Sequence, residues 1–166
     1  MYFYLVIGVT NPAYKEYNVE TAGSTVWGYY DYKASAQFVD LILKYRKDNG
    51  LRPIGNLSDL TKGSNIRVRE MTFPTGTNSR PDGTERSTAY TDPGLVVINE
   101  SLDLKTGKAA YDRLVKSQEE ILLRSDITKM GVAFFKAKTP SEFYVKTNNK
   151  VVRKKFNYFF AEAFGK

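Results

Sequence analysis

Residues 143–156 read FYVKTNNKVVRKKF, and the fold of the last third of the chain turns on how they are taken. Val152, Phe156, Phe159, Phe160 and Ala163 recur at helical spacing before Gly165, which favours a C-terminal helix from about Asn149. In that helix Lys150, Arg153, Lys154 and Asn157 project outward, with Lys155 at the margin. The same letters allow a hairpin turning at Asn148-Asn149. The helix is the preferred reading, and the hairpin is its alternative.

Upstream of this stretch, 132–138 reads as a strand. Thr139-Pro140-Ser141-Glu142 then spells a capping box with proline at the first helical position, so a helix is expected to start there. Two amphipathic helices are expected earlier. One runs over 34–49, with Phe38, Leu41, Ile42 and Tyr45 on one side and Gly50 as the stop. The other runs over 106–124, with Tyr111, Leu114, Val115, Ile121 and Leu122 lining its inner face. Runs at 2–10, 14–20 and 24–30 suggest an antiparallel meander. Ile66 and Val68 alternating with Arg67 and Arg69 suggest a strand over 65–73, and 95–99 is a short apolar strand. The expected class is α+β, with one domain over 1–166.

Composition narrows the chemistry. With 42% hydrophobic and 14% aromatic residues the chain has ample material for a packed core. It has no cysteine, which removes disulfides and thiolate-held metals. It has no histidine either, which removes imidazole bases, Ser-His and Cys-His nucleophile systems, and His-ligated metals. No cofactor or metal is expected. The opening MYFYLVIGVT has no basic residue ahead of it, and charge arrives by Lys15 and Glu16, which fits neither a signal peptide nor a membrane span. The chain therefore reads as soluble, intracellular and cytoplasmic, with no membrane partner.

Charge is distributed unequally. Residues 1–128 carry 16 basic and 16 acidic side chains, whereas 129–166 carry nine basic and two acidic ones. The whole net charge of +7 thus lies in the last 38 residues, together with nine of the 22 Phe and Tyr residues. Cations beside aromatic rings suit phosphates and bases. The Phe residues themselves fall on one helical face and read as core, as does Trp27.

The stretch 73–94 holds no aliphatic residue larger than Ala89. It is expected to be an irregular loop, ordered only in part and cut first by proteases between 75 and 91. Arg80 and Arg86 are outnumbered by Asp82, Glu85 and Asp92, so the loop is a poor groove-inserting arm. Arg67 and Arg69 at its base are better phosphate candidates. Thr106-Gly107-Lys108 lacks the earlier glycine of a phosphate loop, with Leu102 in its place, and reads as helix capping. Asp82 with Asp103-Leu104-Lys105 matches the letters of a carboxylate nuclease, yet Asp31-Tyr32-Lys33 repeats the triplet by chance.

The leading expectation is a non-enzymatic nucleic-acid-binding accessory or regulatory protein. Its partner would be DNA or RNA, held by Lys146, Lys150, Arg153, Lys154 and Lys155, with Arg67, Arg69, Tyr29 and Tyr30 contributing. Its size and missing histidines would suit a virus-encoded protein. The alternative is a protein–protein module whose basic face meets an acidic partner. A metal-dependent nuclease comes third.

Overall fold

The structure, a computed structural model, describes residues 12–55 and 58–166. Five strands form one antiparallel sheet: β1 (Lys15–Val19), β2 (Ser24–Tyr30), β3 (Leu95–Leu102), β4 (Lys129–Thr147) and β5 (Lys150–Gly165). Their order is β1-β2-β4-β5-β3, so the two longest strands, joined as a hairpin, occupy the middle. Among the described residues three helices accompany the sheet in an α+β fold: α1 (Tyr32–Asp48), α2 (Ser58–Glu70) and α3 (Gly107–Leu122). The strand expected over 2–10 lies outside the described residues.

Burial on both faces explains the composition of β4 and β5. Met130, Val132 and Phe134, with Tyr158, Phe160 and Phe164, face α1 and α3, where Phe38, Val39, Ile42, Ala110 and Leu114 meet them. Ala133, Phe135, Ala137, Phe159 and Ala161 face the other way, towards Val68 and Met71 at the end of α2. The α2 side is lined with small residues because the helix lies close to the strand. A Cβ built on Gly131 would stand 2.2 Å from the Leu60 carbonyl carbon. The N-terminal ends of α1 and α3 are capped as their sequences suggest, with Asp31 accepting from the Ala34 N–H and Thr106 from the Ala109 N–H. Thr106-Gly107-Lys108 is thus a helix start. Gly107 lies against the α1 backbone, where an added Cβ would meet the Ala34 carbonyl oxygen at 2.3 Å.

Three expectations are corrected. Residues 65–70 are not a strand but the second half of α2. Its inward positions include Ser64 and Arg67 as well as Leu60 and Val68, so the polar members mask the helical period. Residues 139–142 start no helix, because Pro140 sits at a break in the β4 ladder, where its missing N–H costs nothing. The preferred C-terminal helix is instead the hairpin. Asn148 and Asn149 have φ of 49° and 62°, the left-handed pair that a two-residue turn of this kind requires. Phe159, Phe160 and Ala163 are buried as expected, but on alternate faces of a strand.

The 73–94 segment is also better anchored than its composition indicates. It contains two short 3₁₀ turns, Pro74–Gly76 and Arg86–Ala89, and it is tied down by charge. The Arg67 guanidinium, wholly buried, pairs with Glu70 and Glu100 at 2.6 Å each and donates to the Gly76 carbonyl. Arg80 reaches the same Glu70 at 2.8 Å, and Arg86 the same Glu100 at 2.9 Å. At the far end Asp92 accepts from Lys129 at 2.9 Å, and Tyr90 packs its ring on Gly63.

Candidate nucleic-acid interface

The basic cluster is carried by the outer half of the β4–β5 hairpin. Lys136 pairs with Tyr158, and the ladder resumes only at Ser141 with Phe156, so 137–140 stand opposite Asn157 alone. Ala137 turns to pair with Gly28 of β2. Beyond this bulge seven cross-strand pairs run from Ser141↔Phe156 to Thr147↔Lys150, a two-stranded ribbon about 20 Å long. No third strand joins it among the described residues. Every residue from 146 to 155 is exposed.

Pairing fixes which side chains share a face. On the α2 side lie Phe143 with Lys154, Val145 with Val152, and Thr147 with Lys150. Phe143 is buried there, its ring 5.8 Å from Phe156 and 6.0 Å from Phe159, which seats the ribbon on the core. The opposite face carries Glu142 with Lys155, Tyr144 with Arg153, and Lys146 with Val151. Tyr144 is 71% exposed, and the Arg153 guanidinium lies 5.9 Å from its ring centroid, a cation–π contact that holds both flat groups outward. Glu142 is the ribbon's one acid. It meets Arg153 at 3.4 Å in an exposed pair, leaving the ribbon's five cations with four charges in excess.

The sequence-derived candidates separate into two groups. Lys146, Lys150, Arg153, Lys154 and Lys155 are brought together on the ribbon, though on both of its faces rather than one. Arg67 is withdrawn, since its buried guanidinium is consumed by Glu70 and Glu100 and meets no solvent. Arg69 is half-buried on α2. Its partners are the Asn65 and Asn18 carbonyls and the Tyr17 ring, none of them on the ribbon. Tyr29 and Tyr30 are both buried, so neither offers a face to a base. Tyr30 donates its hydroxyl to the Asn65 carbonyl and packs against Phe135, and burial pushes its pKa up.

The exposed ring of that strand is Trp27, 49% exposed, with the Lys138 ammonium 5.8 Å from its centroid at the foot of the ribbon. Trp27 therefore leaves the core to which its size assigned it. Alternation within β2 gave no signal for this, because Tyr29 shares the face of Trp27 and is buried, as are Gly28 and Tyr30 on the other face. Tyr144 was missed because the helix reading gave it no face.

Neither carboxylate of the nuclease pattern meets the other's surroundings. Asp82 accepts from Thr84 within its own turn, and Asp103, at φ 66°, pairs with Lys105 at 3.5 Å. Among the described residues no three acidic side chains gather as a metal site, and no helix is long and apolar enough to cross a membrane.

No protein-family model matches the chain, and no curated protein matches it in sequence. Among solved structures it is similar to an outer surface protein from Borrelia burgdorferi, at 17% identity and a TM-score of 0.47. The likeness covers 84% of this chain and 98% of that one.

Proposed function

We propose that the protein is a non-enzymatic nucleic-acid-binding protein and that the β4–β5 ribbon is its binding element. One observation carries this reading. A ribbon that no third strand joins among the described residues holds Lys146, Lys150, Arg153, Lys154 and Lys155 against a single acid, with Tyr144 exposed beside Arg153. Solvated faces ordinarily mix both signs, whereas a row of cations with an exposed ring suits phosphates and a base. Lys138 and Trp27 would extend the surface at the ribbon's foot.

The test is the R153A/K154A variant, which removes one cation from each face. Exposed charges contribute little to stability, so the thermal midpoint should stay within a few degrees of wild type. Binding to a labelled DNA oligomer, followed by anisotropy across a salt series, should weaken. Its log–log salt slope should fall by about one per lost phosphate contact. An unchanged affinity and slope would remove the ribbon from the interface.

A second reading, an acidic protein partner added as a further strand, is favoured by the ribbon's edges, unpaired among the described residues, and by Val151, 68% exposed near the tip. Capture of an acidic peptide with indifference to nucleic acid would select it.

A further inference from the structure

Resting on that reading, we infer that the ribbon enters the major groove of double-stranded DNA tip first, with its two faces against the two phosphate walls and Asn148 and Asn149 at the base edges. The division of charge points to this. Lys150 and Lys154 lie on one face, and Lys146, Arg153 and Lys155 on the other. A single strand laid on a platform would use one face and leave the cations of the other idle. It would also call for a row of exposed rings, and the ribbon offers only Tyr144. A groove has phosphates on both sides.

Dimensions agree. The major groove of B-form DNA is about 12 Å wide and 8.5 Å deep and admits a two-stranded ribbon. At about 3.3 Å per residue that depth takes in two or three residues of each strand. The Asn148-Asn149 turn would then reach the groove floor, with Lys146 and Lys150 inside the walls, Arg153 and Lys154 just above the rim where their long side chains reach back to the backbone, and Lys155 beyond it. An A-form RNA duplex has a deep, narrow major groove that side chains do not read, so the same insertion fails there.

The tip residues are suited to the floor. Both asparagines are exposed, and an Asn amide can pair with the N6 and N7 edge of adenine. Their backbone role is separable from this. The turn needs two residues that tolerate positive φ, and glycine supplies that without an amide.

The experiment measures anisotropy with one sequence as duplex DNA, duplex RNA and single-stranded DNA, and with a second duplex made only of G·C pairs. Duplex DNA should bind at least tenfold tighter than the RNA duplex or the single strand at equal salt. K150A/K154A and K146A/R153A, which strip opposite faces, should each lower the salt slope by about two, at about 0.9 per phosphate. N148G/N149G should keep the thermal midpoint and the salt slope while losing the preference for the duplex that contains A·T pairs. Equal or tighter binding of single strands or duplex RNA would overturn groove insertion and leave the ribbon a nucleic-acid binder. A salt slope carried by one face alone, or a preference unchanged in the glycine variant, would overturn it as well. Binding to none of the polymers would overturn the proposed function itself.

Discussion

Arg46 ends α1 in a position that no charge pattern would disclose. Its buried guanidinium donates to the carbonyls of Arg52, Leu122, Arg124 and Ile127, binding the close of α3 and the turn after it to α1. Replacement by Met would leave those carbonyls without donors and should cost about 3 kcal/mol or more, seen as a lower denaturant midpoint. Lys, a point charge without the fork, should restore only part of this. Glu162 is the opposite case, a wholly buried acid near the C-terminal end of β5. Burial pushes its carboxyl up to about 8, against a hydrogen bond from the Asn99 amide at 2.9 Å that pulls it down. Below pH 4.5 the folded and unfolded chains both hold the proton. Between 4.5 and 8 the folded chain keeps what the unfolded chain sheds, so stability falls as pH rises through this window. Glu162→Gln, neutral at every pH, should therefore gain on the wild type between about pH 5 and 8. The gain should be on the order of 4 kcal/mol, read from urea unfolding at each pH. A constant difference across that range would show that the carboxyl does not titrate so. Both residues were silent in the sequence, because a lone Arg or Glu reads as surface until the strands around it are placed.

At the scale of elements, α1 and α3 were legible because each buries one face and shows water the other, which leaves a clean period and a clear cap. The failures share one cause. In the inner half of β5 both faces are buried, so Phe159, Phe160, Ala161, Ala163 and Phe164 crowd together with no alternation, and chance sets Phe156, Phe159, Phe160 and Ala163 at helical spacing. In α2 the inward Arg67 replaces an apolar residue with a buried ion pair, and Arg67 and Arg69 flanking Val68 imitate a strand. The candidate site was legible in its cations, which composition alone assigns to the last 38 residues, and illegible in its shape. The 73–94 segment was misread in the same way, since aliphatic anchors are absent but Arg80–Glu70 and Arg86–Glu100 hold it. Limited trypsin digestion should accordingly reverse the order its composition suggests. The bonds after Lys146, Lys150, Arg153, Lys154 and Lys155 should be cut first, with those after Arg80 and Arg86 surviving until the chain unfolds. Early fragments ending at Arg80 or Arg86 would mean that the ion pairs do not close the segment.

The whole molecule divides its labour unevenly. Helices on both faces of the sheet supply stability, and the charge sits on a projection that contributes little to the core beyond Phe143. One feature of the sheet also governs how the protein is made. The strands at its centre, β4 and β5, follow every other described element in the chain, and among the described residues β3 pairs with β5 alone. A nascent chain leaving the ribosome therefore carries α2 and β3 with their main partners still untranslated, and α1 and α3 with only each other to cover their apolar faces. Until then it exposes apolar faces of the kind that chaperones bind. Closing the sheet joins residues far apart in sequence, a slow topology. A chain ending at residue 128 should accordingly show no cooperative unfolding transition by calorimetry, although it retains all three helical sequences. A sharp transition in that fragment would mean that the helices and the β1–β2 hairpin assemble unaided. Without such a transition, stop codons and frameshifts anywhere before the final hairpin are complete losses of the protein to the cell, and any activity in such an allele would have to come from unfolded peptide.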